Sequence, residues 1–162
     1  MSQRPHVVRT WAPKGQTPIL HHAGHWKRLS VAGGITFTEI YFRLYPGSVN
    51  DGKLINFLGA LRRQIGKKLL IVWDNLPAHR SKQMKRWLAK RGEDFLVEHL
   101  PAYAPELNPV EYLWGWWKGK ALPNFAAQTE WELHHFARRG LRQAQRKQTL
   151  IAAFWKQAEL RF

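Results

Sequence analysis

The sequence predicts an α/β domain, a mixed sheet with helices packed against it, and three observations support this class. Two short strand-like segments, residues 28–35 and 39–45, flank a tight turn at Thr36–Thr38 and predict a β-hairpin. Residues 69–73 are apolar without alternation, which is typical of a strand buried on both faces of a sheet. Segments with apolar residues at helical spacing follow these strands, so the order is hairpin, helix, strand, helix, strand, helices.

In the first half of the chain, residues 1–27 are rich in Pro, Gly and His and are predicted to be mostly loop, with a short extended piece at Val7–Trp11. A first helix is predicted after the hairpin, with Asp51 as its N-cap. Its apolar residues recur at helical spacing. They are Leu54, Phe57, Leu58 and Leu61.

In the second half, Ser81 is predicted to cap a helix that runs through Arg91, and residues 95–99 form a short strand. Asn108 and Pro109 predict the start of another helix, since Asn is favoured at the cap and Pro at the first helical position. The inward stripe of that helix is Val110, Leu113, Trp114 and Trp117. The residues predicted to be buried in the helical C-terminal third are Trp131, Leu133, Phe136, Leu141, Ile151, Phe154 and Trp155.

The charge of the chain indicates its partner. The 162 residues carry 26 Lys and Arg against 11 Asp and Glu, a formal net charge of +15. A surface this basic attracts polyanions, and nucleic acid is the usual one. Because the chain has no cysteine, disulfides and cysteine-ligated zinc sites are excluded. No segment predicts a signal peptide or a membrane span, so we expect no membrane partner and a cytoplasmic, nucleoid-associated location.

Two carboxylates are placed where chemistry can use them. Asp74 directly follows the predicted strand 69–73, at the edge of an α/β sheet where sites gather; the alternative is that Asp74 and Asn75 begin a turn. Glu111 lies three residues after Asn108, the position of a capping-box glutamate, which is its alternative role. Carboxylates that hold divalent cations are what phosphodiester chemistry needs inside a positively charged protein.

The segments WDNLPAH (73–79) and LPAYAPELNPVEYLW (100–114) resemble the catalytic domain of mariner-like DDE transposases, with the bacterial insertion-sequence-630 group as the nearest match. RTWAPKGQTP (9–18) is also similar, and the resemblance covers about residues 7–122. It implies a ribonuclease-H-like fold and metal-dependent cleavage and transfer of DNA strands. It also implies that Asp74 and Glu111 bind Mg2+ (or Mn2+), as the second and the last of three catalytic acids.

The resemblance further implies that Asn75, His79 and Asn108 border the site. For His79 the alternative is a structural histidine that binds a loop carbonyl. The implied partner is double-stranded DNA, as transposon ends and as target, and the complete enzyme is expected to be a homodimer. The residues expected to bind DNA are Arg80, Lys82, Lys85, Lys118, Lys120, Arg138, Arg139 and Arg142.

The sequence departs from the family at the first acid, which belongs on a strand before the hairpin. Residues 1–38 contain no Asp or Glu, and the first two acids are Glu39, at the hairpin turn, and Asp51, at a helix start. We therefore expect an N-terminally truncated catalytic core at 1–122, with 123–162 as a C-terminal helical extension of the same domain. With two of three acids, this chain alone is predicted to be inactive or nearly so.

The residues leave open several alternatives for the function of the chain and for the roles of individual side chains. The chain could instead be a non-catalytic basic DNA-binding remnant, able to inhibit transposition, or another ribonuclease-H-like nuclease. A basic cluster around Arg138, which extends to Arg146 and Lys147, is either a phosphate-contact face or an ordinary solvated helix surface. The aromatic residues weighed for base stacking against core packing are Trp114, Trp116 and Trp117. The histidines considered as a metal site, and interpreted as a solvated loop, are His21, His22 and His25.

Overall fold

Two small sheets and five α-helices make up the part of the chain that the computed structural model describes, residues 7, 9–19, 21, 28–121 and 123–159. The strands are β1 (Leu29–Ile35), β2 (Ile40–Pro46), β3 (Leu69–Trp73) and β4 (Phe95–His99). The helices are α1 (Asp51–Ile65), α2 (Lys82–Ala89), α3 (Pro109–Trp116), α4 (Glu130–Gln145) and α5 (Gln148–Gln157). A 3-10 turn, Pro105–Leu107, precedes α3 and a π-helical turn, Trp117–Ala121, follows it. The mixed α/β class predicted from the sequence is confirmed.

The predicted hairpin is present and is covered on both faces. β1 pairs antiparallel with β2, and at the turn the Thr36 N–H donates to the Glu39 carbonyl over 2.8 Å. Alternate residues of the two strands face a core shared with α1 and a second core shared with α3, α4 and α5. A Cβ on Gly33 would lie 2.5 Å from Cη2 of Trp114, so only glycine lets α3 pack this closely on β1.

β3 and β4 form a parallel pair whose burial differs from the prediction. Trp73 and Phe95 are buried on the face that α1 and α2 cover. On the other face Leu70, Val72 and Leu96 are 60 %, 51 % and 62 % exposed. The prediction that residues 69–73 are buried on both faces was wrong, because helices cover only one face of this pair within the described residues.

The strands form two two-stranded sheets where the sequence predicted one mixed sheet. The Leu69 N–H donates to the Asp94 carbonyl and the Trp73 carbonyl accepts from Leu100, so alternate residues of β3 bond towards β4. The backbone groups of Leu70 and Val72 therefore point to the opposite edge, where the described residues place no strand. Both sheets nevertheless pack on α1 in one core.

Side-chain caps begin α1, α2, α3 and α4. Asn50, and not Asp51 as predicted, caps α1: its side chain accepts from the Lys53 N–H over 3.0 Å, and Asp51 becomes the first helical residue, where its charge suits the helix dipole. Ser81 caps α2 as predicted, by accepting from the Met84 N–H over 3.1 Å. That helix ends at Ala89, two residues earlier than predicted.

The C-terminal helices close over the hairpin. Amide side chains of α4 and α5 bind its backbone, with Gln145 Nε2 2.6 Å from the Ile40 carbonyl oxygen and Gln148 Nε2 2.9 Å from that of Thr38. Four of the predicted core residues are buried, namely Leu133, Leu141, Ile151 and Phe154, and Phe136 and Trp155 pack beside them. Trp131 was predicted wrongly, since 72 % of it is exposed. Among the described helices, none has the length and apolarity to cross a membrane.

Candidate active site

Asp74 lies directly after β3 and keeps part of its carboxylate in solvent. Its Oδ1 accepts from the Leu76 N–H over 3.1 Å, so the residue does begin a turn, as one of the two interpretations of the sequence proposed. The side chain is 38 % exposed. The bond from Leu76 and the contact with His79 both fall on Oδ1, which leaves the second carboxylate oxygen for a further ligand.

His79 is fixed beside Asp74 by a stack and by hydrogen bonding. Its ring lies parallel to the indole of Trp73, with 4.3 Å between centroids and 4° between planes. Its Nδ1 is 2.8 Å from Asp74 Oδ1 and 3.1 Å from the Asp74 carbonyl oxygen. Since both neighbours of Nδ1 are acceptors, Nδ1 carries a proton, and in the neutral ring Nε2 has a free lone pair. His79 therefore binds a loop carbonyl and orients the carboxylate as well.

Asn75 ties the end of β3 to the end of β4. Its side-chain Nδ2 donates to the Leu100 carbonyl over 3.1 Å, and the Leu100 N–H donates to the Trp73 carbonyl over 2.8 Å. The loop that leads to α3 starts at Leu100. Asn75 thus fixes where that loop leaves the sheet relative to Asp74.

The loop from Leu100 to Asn108 delivers Glu111 on the first turn of α3. Asn108 caps this helix as predicted, its Oδ1 accepting from the Val110 N–H over 3.1 Å. The backbone N–H of Asn108 donates to the Pro105 carbonyl over 3.0 Å, which is the bond that a capping-box glutamate would have made. The Glu111 side chain is exposed and makes no hydrogen bond or ion pair in the described part of the chain, so the capping-box interpretation was wrong.

The structure brings some of the predicted site residues together and leaves others apart. Asp74, Asn75 and His79 form one connected group, whereas Asn108 and Glu111 lie at the start of α3 without a direct bond to that group. Among the described residues, no three His, Asp or Glu side chains are grouped closely enough to hold a metal ion.

The predicted DNA-binding residues are all exposed and lie in or next to three elements, α2, the π-helical turn and α4. Arg80 lies in the turn before α2, and Lys82 and Lys85 lie in the first half of that helix. Lys118 and Lys120 lie on the π-helical turn after α3, which packs against α4. The α4 residues are Arg138, Arg139 and Arg142.

The three tryptophans weighed for base stacking lie in or against the core. Trp117 is buried and Trp114 and Trp116 are half-buried against the same core, so core packing accounts for these three rings. His22 and His25 lie outside the described residues.

Two tyrosines of β2 have raised pKa values. Burial, with the hydrogen bond that the Tyr41 hydroxyl donates to the Glu39 carboxylate, raises the pKa of Tyr41 to about 12. Burial also raises the pKa of Tyr45, whose hydroxyl donates to the Lys53 carbonyl over 2.8 Å. Glu39, the first acid of the chain, is thus bound to Tyr41 at the hairpin turn.

Sequence reasoning missed three aromatic features of the molecule. The Trp73–His79 stack joins residues six apart, a separation that no helix or strand period signals. Tyr103, in the loop before α3, takes a positive φ of 60° with a fully exposed side chain, although left-handed backbone is uncommon for an aromatic residue. The third feature is the exposure of Trp131, which was predicted to be buried.

Comparisons with known proteins identify the family and agree with the fold. A profile of the DDE superfamily endonuclease family matches residues 1–134, most of the chain. The chain belongs to this family.

Its relatives are transposases and an insertion-element protein. It is 25 % identical over 134 residues to the Insertion element IS630 uncharacterized 39 kDa protein of Shigella sonnei, a match that covers 80 % of the chain and 38 % of that protein. It is 27 % identical over 114 residues to the Transposable element Tc1 transposase of Caenorhabditis elegans, covering 67 % of the chain and 40 % of the relative. The chain therefore spans less than half the length of these relatives.

The same fold occurs in the Mos1 mariner transposase. The chain matches the Mos1 transposase paired-end complex with left transposon end at a TM-score of 0.60 and 20 % identity, over 92 % of this chain and 50 % of the Mos1 chain. The catalytic domain of Mos1 alone matches at a TM-score of 0.51 and 19 % identity, over 85 % and 76 % of the two chains. This likeness establishes the predicted ribonuclease-H-like fold.

Proposed function

We propose that this chain is part of a transposase catalytic domain that cleaves and transfers DNA strands, with Asp74 and Glu111 as two of its catalytic acids. The observation that carries the proposal is the arrangement at the end of β3. Asp74 is held there by Leu76 and His79 with part of its carboxylate in solvent. Asn75 anchors the start of the loop that leads to α3 and Glu111.

The donor set suits a hard divalent cation. Asp74 and Glu111 both present carboxylate oxygen, which Mg2+ and Mn2+ prefer, and the Glu111 side chain has no other bonding partner among the described residues. Of the solved Mos1 structures, one is a paired-end complex with Mn. When bound, such an ion supplies Lewis-acid activation of an attacking oxygen.

In this proposal His79 is a positioning residue. Its Nδ1–H donates to Asp74 and fixes the direction of the carboxylate, while the stack on Trp73 fixes the ring. Its Nε2 lone pair can accept a hydrogen bond from water at the site. Asn108 positions Glu111 by fixing the start of α3.

The substrate in this proposal is double-stranded DNA, as transposon ends and target. The exposed cations of α2 and of the π-helical turn give a positive surface on elements that flank the site, and the net charge is +15. Solved Mos1 complexes contain a left transposon end or are strand transfer complexes. We further propose that the complete enzyme is a homodimer, and that residues 123–162 are a helical extension of the core at 1–122.

The chain by itself is proposed to be inactive or nearly so, because a metal pair needs more acids than two. Residues 1–38 contain no Asp or Glu, and Glu39 is bound to Tyr41. A second candidate function follows from the charge: the chain binds DNA without cutting it and interferes with an active transposase. Metal-dependent nicking of transposon-end DNA by the purified chain would contradict both the inactivity and this second function.

Mn2+ binding, followed by electron paramagnetic resonance, tests the proposed acids without requiring activity. We expect weak binding by the full chain and at least about tenfold weaker binding by Asp74→Asn and by Glu111→Gln. Glu106→Gln is the matched control, since Glu106 is an exposed acid of the same loop, and it should bind like the unchanged chain. If Asp74→Asn and Glu111→Gln bind Mn2+ as well as this control does, the assignment of the two acids is wrong.

A further inference from the structure

One face of α4 presents an aromatic pair followed by arginines at helical spacing. Trp131, His135, Arg138, Arg142 and Arg146 are three or four positions apart, so they form one stripe along the helix. All five are exposed. We refer to these five residues as the α4 stripe.

The exposure of Trp131 is set by the core and is not a packing defect. On the opposite face of α4, Leu133, Ala137 and Leu141 are fully buried against the hairpin and α5, which fixes the rotation of the helix. Trp131 is 72 % exposed, and its ring stacks on His135 with 5.1 Å between centroids and 17° between planes. The two rings thus form a flat aromatic surface that is open to solvent.

The arginines of the stripe carry unneutralised charge. Within the described residues no carboxylate pairs with Arg138, Arg142 or Arg146. The acids of α4 lie in its first turn, and the carboxylate of Glu132 accepts from the Gln128 N–H over 2.8 Å. The positive charge is therefore available to an anionic partner.

We propose that the α4 stripe binds single-stranded DNA, with a base stacked on Trp131 and the following phosphates on Arg138 and Arg142. An open aromatic face beside cationic side chains is the arrangement that binds single strands. Arg138 lies seven residues after Trp131, about 10 Å along the helix axis, so one short strand can reach both. A duplex can contact the arginines but keeps its bases stacked within itself, so the aromatic pair favours an unpaired strand. The inference rests on the proposed DNA substrate but is independent of Asp74 and Glu111.

Fluorescence anisotropy with an oligo-dT probe and the full chain, without metal, tests this surface. We expect Trp131→Ala to weaken binding of the single strand by between about 5-fold and about 150-fold, the range for loss of one base stack. Binding of a duplex probe should change by less than about 2-fold. Trp11→Ala is the matched control, because Trp11 is fully exposed outside the stripe, and it should bind like the unchanged chain.

A second pair of variants tests the phosphate contacts. Removing two phosphate contacts in Arg138→Gln/Arg142→Gln should reduce the slope of log affinity against log salt by about 1.4 for a single strand. Arg63→Gln/Lys68→Gln removes the same charge from exposed positions at and beyond the end of α1, and it should leave the slope closer to that of the unchanged chain.

Three results would overturn the proposal. The first is an oligo-dT affinity of Trp131→Ala equal to that of Trp11→Ala. The second is an equal loss of single-strand and duplex binding in Trp131→Ala, which would indicate a general polyanion surface. The third is a dimer that Trp131→Ala dissociates without loss of oligo-dT binding, which would show that the surface is a protein contact. Absent Mn2+ binding at Asp74 and Glu111 would contradict the catalytic proposal only.

Discussion

The imidazole of His79 lies flat against the indole of Trp73, with the ring planes 4° apart and the centroids separated by 4.3 Å. The stack couples the last residue of β3 to the turn that follows it, and it holds the imidazole with Nδ1 against the Asp74 carboxylate. The core that buries Trp73 thereby also sets the geometry of the carboxylate next to it.

Two substitutions of His79 distinguish the contribution of the ring stack to stability from that of the hydrogen bond. His79→Ala removes both and should lower the free energy of unfolding by about 1–2 kcal/mol, whereas His79→Phe keeps an aromatic ring on Trp73 and should lose less than about 1 kcal/mol. Urea unfolding followed by circular dichroism measures both values. Equal losses in the two variants would show that the ring contact contributes nothing.

Gly33→Ala should destabilise the contact between β1 and α3. The new Cβ would lie 2.5 Å from Cη2 and 2.9 Å from Cζ2 of Trp114, so the indole must move, at a cost of about 1–3 kcal/mol. Gly59→Ala in α1 is the control, because its nearest neighbours are 3.8 Å away and alanine favours a helix; it should be neutral or stabilise by up to about 1 kcal/mol. Thermal unfolding of both variants measures the contrast, and a Gly33→Ala protein as stable as Gly59→Ala would contradict the close packing.

Asn108 and Glu111 should differ in their effect on stability. Asn108→Ala removes the cap of α3 and should cost about 1 kcal/mol. Glu111→Gln should change the free energy of unfolding by less than about 0.5 kcal/mol, because the backbone N–H that a capping box would use is already bound to Pro105. Urea unfolding measures both variants. A loss of about 1 kcal/mol in Glu111→Gln would mean that the glutamate does support the helix.

Because the pKa of Tyr41 is raised, the free energy of unfolding depends on pH in the alkaline range. Since the pKa is about 12 in the folded chain against an ordinary value of 10.0, the neutral phenol stabilises the folded state. This contribution is complete below pH 10 and is lost as the pH rises from 10 through about 12. Urea unfolding at pH 9 and at pH 11.5 should show a smaller loss for Tyr41→Phe than for the unchanged chain. Equal losses would place the alkaline sensitivity elsewhere.

Local signals in the sequence were sufficient to predict most of the helices, strands and N-caps. Ser81 and Asn108 were predicted as caps because their side chains satisfy backbone N–H groups within three residues, which requires no knowledge of the fold. Asn50 was missed in favour of Asp51 because both neighbours can cap and only the backbone conformation decides between them. The position of Asp74 at the end of its strand was predicted because an apolar run that ends at an acid is typical of the end of a strand.

Tertiary packing determines the exposure and the contacts of several residues, and the sequence pattern alone does not predict these. Leu70 and Val72 are apolar in a strand of apolar residues, and their exposure depends on which helices reach the second face. Trp131 lies between Glu130 and Glu132 in the first turn of α4, and its aromatic side chain alone does not decide whether the ring faces the core or the solvent. The contacts of His79 depend on the path of a turn, and a turn has no periodic sequence pattern that would predict them.

Within the part of the chain that the structure describes, one edge of β3 has no partner strand and Leu70, Val72 and Leu96 are exposed, which also affects how copies of this chain behave in solution. An unpaired strand edge beside an apolar face is a template for pairing between molecules, and here the mutual repulsion of chains that each carry +15 opposes such encounters. Added salt weakens that repulsion and leaves the attraction in place. Light scattering should therefore rise with ionic strength, so the same arginines and lysines that we propose bind DNA also keep the protein dispersed.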